Sequence, residues 1–457
     1  MRTTNHRRRP GMALLVAAAL LAAGCNDISV PDYNNPGLEE VETSPDPSSI
    51  RNLATGLLIG ARNDQTDRTS YVSQLGIVGR EAYILDGSDP RYISELLIGP
   101  LSNSGAFGGG LWALRYANIR NANILLNALN VISDDPVAGF PAQQKEAIRG
   151  FAKTIQALDF LLVINARDLS GAPIDVNQPV DADPPPLATK AQVFAHIVQL
   201  LEEGRTHLLA GGAAFPFPLS AGFNGFNTPP TFLQFNRALK ARVDVYMGNY
   251  AAALTSLSQS FVDLTPTLAA LNRGAYHVYG TASGETANLL TNATVYAHPS
   301  VATGAEPGDA RVARKLVTVP PRTISGITSN LKFTAYTQPT DPVPIIRNEE
   351  LILLRAEARW FTGDKPGALA DLNHVRAVSA GLGPIAPVTD ADFITALLRE
   401  RRLSLLMEGG HSWIDHRRLG RLGDLPRDAA NHNVHPRYFV PQGECLARSL
   451  GETCAAA

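Results

Sequence analysis

The chain has 457 residues, enough for one large core or two medium ones, and its 45% hydrophobic and 18% charged content is that of a globular protein. The formal net charge of -2 misleads: without Arg2, Arg7, Arg8 and Arg9, 36 of the 40 basic residues remain against 42 acids, about -6 for the body. A body of that sign excludes the electrostatic footprint of nucleic-acid binding.

Those arginines precede "GMALLVAAALLAAGC", an apolar run too short to span a bilayer and closed by small residues and a cysteine. This is the pattern of an export signal over residues 1–24. "LLAAGC" resembles a bacterial lipobox, with Ala22 where the usual leucine stands, and makes Cys25 the expected lipidation site. The alternative is plain secretion with Cys25 in the discarded peptide. Residues 25–47, rich in Pro, Asn and acids without periodicity, read as an extended tether.

Helical patterning begins near Ser48 in "SSIRNLATGLLIGARND", and residues 70–110 then turn irregular, with "YILDGSDPRY" and "SNSGAFGGG" as loops. From Leu111 a helical face gathers Leu111, Leu114, Ile119, Ala122, Leu126 and Leu129, and a second long helix is expected over about 142–168. "ALKARVDVYMGNYAAALTSL" and "LILLRAEARWFTGDKPGALADL" then repeat one another at a constant offset of 115 residues. Ala241 matches Ala356, Tyr246 matches Phe361, Gly248 matches Gly363, and Ala253, Leu254 and Leu257 match Ala368, Leu369 and Leu372. Alanines allow close helix approach, the aromatic fills the space beside the turn, and glycine takes a left-handed position. That is the logic of a tetratricopeptide-type helix hairpin. Between the copies, residues 263–345 are rich in Pro, Gly, Thr and Tyr with strand-like pieces "ARKLVTV" and "NLKFTAY", and a segment of this kind inside a compact protein is usually functional. The class is mainly α. The division expected is 48–262 as an N-terminal helical half, 263–345 as an irregular lobe and 346–457 as a C-terminal helix pair and tail, all within one unit.

Chemistry is sparse. There is no P-loop, dinucleotide fingerprint, nucleophile elbow or zinc-type cysteine pairing, and "GAFGGGLW" lacks the Lys–Ser/Thr of a phosphate loop. Nothing implies a cofactor or a resident metal. Cys445 and Cys454 form an even pair in an exported chain and are expected to be bridged, the alternative being two free thiols. "RRLSLLMEGGHSWIDHRRLG" packs Glu408, His411, Asp415 and His416 closely, but the two histidines are five apart, and on a helix that turns them about 140° from each other. The expectation is a helix from Asp392 to the glycines at 409–410, with Trp413 and Ile414 tucked beneath it. Asp415 is expected to pair with Arg402 or Arg417. A carboxylate pair, Glu408 with Asp415, stands as the enzymatic alternative.

The ordered set of segments resembles the SusD/RagB family of nutrient-binding outer-membrane lipoproteins. Its carriers are Glu400, Arg401, Arg402, Glu408, Gly409, Trp413, Asp415 and Arg417, with "RNEELILLRAEARWFTGDKPGALADLNHVRAVSAGL", "LWALRYANIRNANILL", "GFAKTIQALDFLLVINARDLSGAPI" and the closing "YFVPQGE". Ser404 replaces a usual glutamate, and Gly409-Gly410 looks like a one-residue insertion. The resemblance implies a tetratricopeptide-like scaffold with a loop-rich ligand-binding lobe and no catalysis. It also implies lipid anchoring in the outer membrane with exposure at the cell surface, an oligosaccharide or other nutrient ligand, and a SusC-like TonB-dependent β-barrel transporter as partner. Tyr83, Asp86, Arg91, Tyr92, Asn103, Phe107, Tyr279 and Tyr296 are the ligand-contact candidates, drawn from the irregular loops. The rival reading is a helical interaction scaffold for a peptide or another surface protein.

If Cys25 carries the anchor, full-length protein enters the detergent phase on phase partition and Cys25→Ser does not after export. A Cys25→Ser protein that stays membrane-bound to the same extent rejects the lipid anchor.

Overall fold

The structure, a computed structural model, describes residues 41, 43–105, 107–179 and 181–456; the expected signal segment, Cys25 and residues 26–40 of the expected tether lie outside the described residues. Helix α1 (Pro47–Arg62) starts where Asp46 accepts from the backbone amides of Ser48 and Ser49 with proline at the first helical position. Helices α2 (Tyr71–Val78), α3 (Ala113–Val131) and α4 (Ala142–Arg167) follow, then α5 (Lys190–Ala210) and α6 (Pro229–Tyr246). The last two each open on a capping box, Thr189 with Gln192 and Thr228 with Thr231.

The repeated segments form two helix hairpins, α6 with α7 (Tyr250–Ser258) and, beyond the short α8 (Leu268–Asn272), α9 (Asn348–Phe361) with α10 (Lys365–Val375). Gly248 and Gly363 hold φ of 75° and 94°, the left-handed turn positions expected of them. Ala241, Ala253, Ala356 and Ala368 are all fully buried. Helix α7 packs on α9, where Tyr250 and Phe361 stack at 5.0 Å and join one hairpin to the next. The chain of packed neighbours runs α3, α4, α5, α6, α7, α9, then α11 (Asp390–Ser404) and α12 (His411–Arg418). Among the described residues the strands make only two-stranded antiparallel ribbons: β1 (Ala82–Ile84) with β3 (Val295–Ala297), β2 (Gly274–His277) with β6 (Val343–Arg347), and β4 (Leu316–Ile324) with β5 (Ile327–Phe333). The mainly α class and the hairpin scaffold are what the sequence implied. The 263–345 segment holds more order than its composition suggested, because β3 and β6 draw partners from outside or from the far end of that segment.

Three local expectations are corrected. Leu114 is 48% exposed, and α3 instead buries Arg115 and Asn118 beside Ile119 and Ala122. The helix is turned by Asp159 of α4, which accepts from Arg115 Nη1 at 2.8 Å and from Asn118 Nδ2 at 2.6 Å. Helix α11 ends at Ser404, short of the glycines. Arg347 Nη2 and Lys315 Nζ both donate to the Ser404 carbonyl, which would otherwise continue the ladder, and Met407 turns to φ 58°.

The earlier end changes the partners of Asp415. Arg401 Nε donates to its Oδ2 at 2.6 Å and Arg418 Nε to its Oδ1 at 2.8 Å; neither Arg402 nor Arg417 is involved. One residue along a helix is a rotation of about 100°, so the face that meets α12 carries Arg401. Arg402 reaches the carbonyl of Arg80 and the Ser300 hydroxyl, and Arg417 reaches the carbonyls of Asn165 and Pro436. Trp413 and Ile414 are buried as expected, but within α12. Arg418 also grips Glu357 of α9 with two bonds of 2.5 and 2.7 Å, and Arg242 of α6 grips Glu350 of α9 at 2.7 and 2.6 Å. Glu408 binds Arg347 at 2.7 Å and Lys315 at 3.3 Å, and Glu400 binds Arg376 at 2.6 Å and Arg311 at 2.7 Å. Ser404 lets in Arg311, whose Nη1 donates to its hydroxyl at 3.0 Å. Burial pushes the Asp415 carboxyl up, but the Arg401 and Arg418 guanidiniums outweigh it and hold the group below the ordinary carboxylate range.

Glu81 has the opposite balance. It is fully buried beside this ionic corner, and burial, opposed by Arg402 and reinforced by Glu408, pushes its pKa from 4.5 to about 8. Between those values the unfolded chain has lost the proton and the folded chain keeps it, so this group makes stability fall as pH rises from about 4.5 to 8. The slope is at most about 1.4 kcal/mol per pH unit. The depressed carboxylates act below that window, where stability is lost as pH falls. Glu81→Gln is therefore expected to gain stability over the native protein at pH 8 relative to pH 4.5, read by urea unfolding at both; an offset equal at the two pH values contradicts the assignment.

Candidate ligand-binding site

Strands β1 and β3 turn the loop aromatics inward. Tyr83 and Tyr296 face one another across the ribbon, 1% and 8% exposed. The Tyr83 hydroxyl donates to Asp428, its ring lies 4.7 Å from His298, and Lys332 Nζ stands 3.8 Å over the Tyr296 ring. Asp86 is bound by Arg68 and by Ser88, and Arg91 forks onto Asp89 with two bonds of 2.8 Å. Tyr92 packs on Phe107 at 5.1 Å, with Arg68 and Arg91 above the two rings. Asn103 ties down the tail, donating to the carbonyls of Val440 and Glu452 at 3.1 and 2.7 Å. Tyr279 lies apart, under Arg62. The structure thus brings Asp86, Arg91, Tyr92 and Phe107 into one cluster and Tyr83 with Tyr296 into another. The five candidate rings are covered by protein and offer no face for stacking; of the eight candidates only Arg91 keeps an exposed side chain. Loop composition suggested exposure, whereas strand pairing and ring packing removed it.

An open face lies elsewhere. A cavity of about 900 Å³ is bounded by the Ile98–Leu101 loop, by Asp168 and Leu169 after α4, by Arg417 of α12 and by residues 433–439. Its size is within the range of small-ligand sites. The 433–439 segment is strapped in place from both sides. The amide of Asn433 donates to Leu97 O at 2.6 Å, Trp413 Nε1 to His435 O at 2.7 Å, and the amide of Tyr438 to Ala166 O at 3.0 Å. With Tyr438 and Val440 held fully buried, Phe439 between them is forced outward. At 37% it is the most exposed aromatic ring among the described residues. Around it stand the guanidiniums of Arg417 and Arg437, the Asp168 carboxylate, the Asn433 amide and His435, whose pKa burial pushes down to about 4, so the ring is neutral at neutral pH. A flat apolar face beside fixed donors and acceptors suits a ligand with C–H faces and many hydroxyls. "YFVPQGE" reads in sequence as no more than an ending, and an inward-outward alternation at 438–440 is the one signal it offers.

Proton-transfer chemistry finds less to work with. Glu408 and Asp415, the carboxylate pair weighed above, are each engaged by two cations. His416 Nδ1 is bound to Ser412 O at 2.6 Å, and burial lowers the pKa of His411 to about 4. Among the described residues no group of three or more His, Cys, Asp or Glu side chains is placed to hold a metal ion. Cys445 and Cys454 are joined in a disulfide with Cα atoms 5.6 Å apart, which closes the tail onto the Asn103 loop.

Residues 311–440 match the SusD family, and a solved SusD superfamily protein from Bacteroides vulgatus ATCC 8482 superposes with a TM-score of 0.67 at 13% identity, covering 89% of this chain and 98% of that one. The fold is SusD-like. A laminarin-binding SusD-like protein superposes with a TM-score of 0.63 at 18% identity, covering 89% of this chain and 99% of that one. A SusD-like carbohydrate-binding protein, also from Bacteroides vulgatus ATCC 8482, gives 0.61 at 17% identity over 79% of this chain and 82% of that one. No curated protein matches the sequence. The match to the SusD family takes in α9 to α12, and with them Glu350, Glu357, Arg401, Asp415 and Arg418.

Proposed function

We propose that this SusD-like chain binds oligosaccharides at the cell surface, without turning them over, and passes them to a SusC-like TonB-dependent β-barrel. The observation that carries the binding half is the open cavity in which Phe439 presents a ring face among guanidinium, carboxylate and amide groups. Two proteins of the same fold, one described as carbohydrate-binding and the other as laminarin-binding, support the ligand class. The occupied state of Glu408 and Asp415 supports binding over hydrolysis. Division of labour supports delivery: a surface-held ligand needs a pore to enter, and only hydrophobic helices or closed barrels cross a bilayer. A lipidated Cys25 would hold the chain at the outer membrane beside that pore. Asp86 and Arg91 remain proposed as polar contacts at the rim of the stranded lobe, where their charges are already paired and accept a ligand only by exchange of partners.

Phe439 is exposed and its loss leaves no cavity in the core, so Phe439→Ala is expected to fold with unchanged thermal stability and to bind glycan more weakly by about 2 kcal/mol, roughly thirtyfold. Calorimetric titration of a glycan panel on both proteins measures it. Equal affinities move the site elsewhere, and binding of peptides but of no glycan favours the interaction-scaffold reading.

A further inference from the structure

The cavity at Phe439 carries an excess of positive charge on a chain whose body is acidic, 36 basic residues against 42 acids beyond residue 24. Its one lining carboxylate, Asp168, is already engaged: Lys190 Nζ lies 2.5 Å and Arg417 Nε 3.4 Å from Oδ1. His435 contributes no charge near neutral pH. Arg417 is fixed in place, lying 4.2 Å over the Trp413 ring and donating to the carbonyls of Asn165 and Pro436. Arg437 is different. It forms no ion pair or hydrogen bond with the described residues, and its described contact is with the Phe439 ring, 5.9 Å from guanidinium carbon to ring centroid. A guanidinium that forks naturally onto carboxylates therefore stands over the exposed aromatic ring with no carboxylate partner among the described residues.

Resting on the glycan-binding reading above, we infer that this site selects acidic oligosaccharides, with Arg437 receiving the carboxylate of a uronate residue while the sugar ring stacks on Phe439. The stereochemistry fits. The uronate carboxyl is borne on the pyranose edge, so a sugar packed on Phe439 can present that group to the guanidinium that stands 5.9 Å over the ring centroid. A neutral hexose has only a hydroxymethyl there and leaves the guanidinium to water. Local surplus charge on an acidic body also draws anionic chains to this one mouth at low salt.

The test uses the whole exported chain and matched pairs of ligands: oligogalacturonate, oligoalginate and oligoglucuronate, each against its methyl-esterified form, which keeps the sugar and removes the charge. The expected result is at least one acid form binding about tenfold tighter than its ester, a preference that shrinks as salt rises. Arg437→Gln should reduce the preference to near unity, with the loss of affinity falling far more on the acid form than on the ester. Thermal unfolding of the variant should match the native protein, since the described contact of Arg437 is with the exposed Phe439 ring. Esters or neutral glycans binding as well as the acids overturn the inference while the glycan site stands. If acid preference persists in Arg437→Gln but is lost in Arg91→Gln, the charge reader is in the stranded lobe and the inference is likewise overturned. Binding of no glycan by the native protein removes the underlying reading together with it.

Discussion

Asp415 is fully buried and ionised, and two guanidiniums close on it from different helices. A charge in that position is tolerable only while both partners hold; deleting one member of such a set costs about 3–5 kcal/mol, because the remainder is stranded in the interior. Through Arg418 the pair extends to Glu357 of α9, and on the same helix Glu350 is held by Arg242 of α6. The two helix hairpins are thus locked to each other and to α12 by directional, charge-assisted bonds, where their alanine-lined contacts would allow sliding. The geometry has little slack.

That corner also decides where a ligand is met. Because α12 is held by Asp415, its Trp413 can accept the weight of Arg417 and donate to His435 O, and from there the 433–439 segment is carried along the end of α4. Phe439 faces outward only because Tyr438 is pinned inward at Ala166 and Val440 is held by Asn103. The scaffold and the mouth are one construction.

The long helices and the hairpins were readable because their determinants are local: capping residues, proline at helix starts, a left-handed glycine at each turn and a period of buried alanines. What was not readable was set by partners distant in sequence. Leu405, Leu406 and Met407 continue an apolar helical pattern, yet the helix stops at Ser404 because Arg347 and Lys315 take its carbonyl. Leu114 looked like a core residue, but Asp159 rotated α3 to bring in Arg115. Tyr83 and Tyr296 sit in segments with loop-like composition and vanish into a three-residue ribbon that composition could not announce. Phe439 is illegible in sequence for the converse reason, since whether one ring in an alternating run points out depends on what grips its neighbours.

The coupling between the ionic corner and the ligand mouth can be read directly by amide hydrogen exchange on Asp415→Asn, which keeps the shape and removes the charge that Arg401 and Arg418 were arranged to meet. The account predicts lost protection spreading from α12 through residues 433–440 while α4 and α5 stay protected. Native-level protection across 411–440 in that variant would contradict it, and would mean that packing alone holds the corner and the mouth in place.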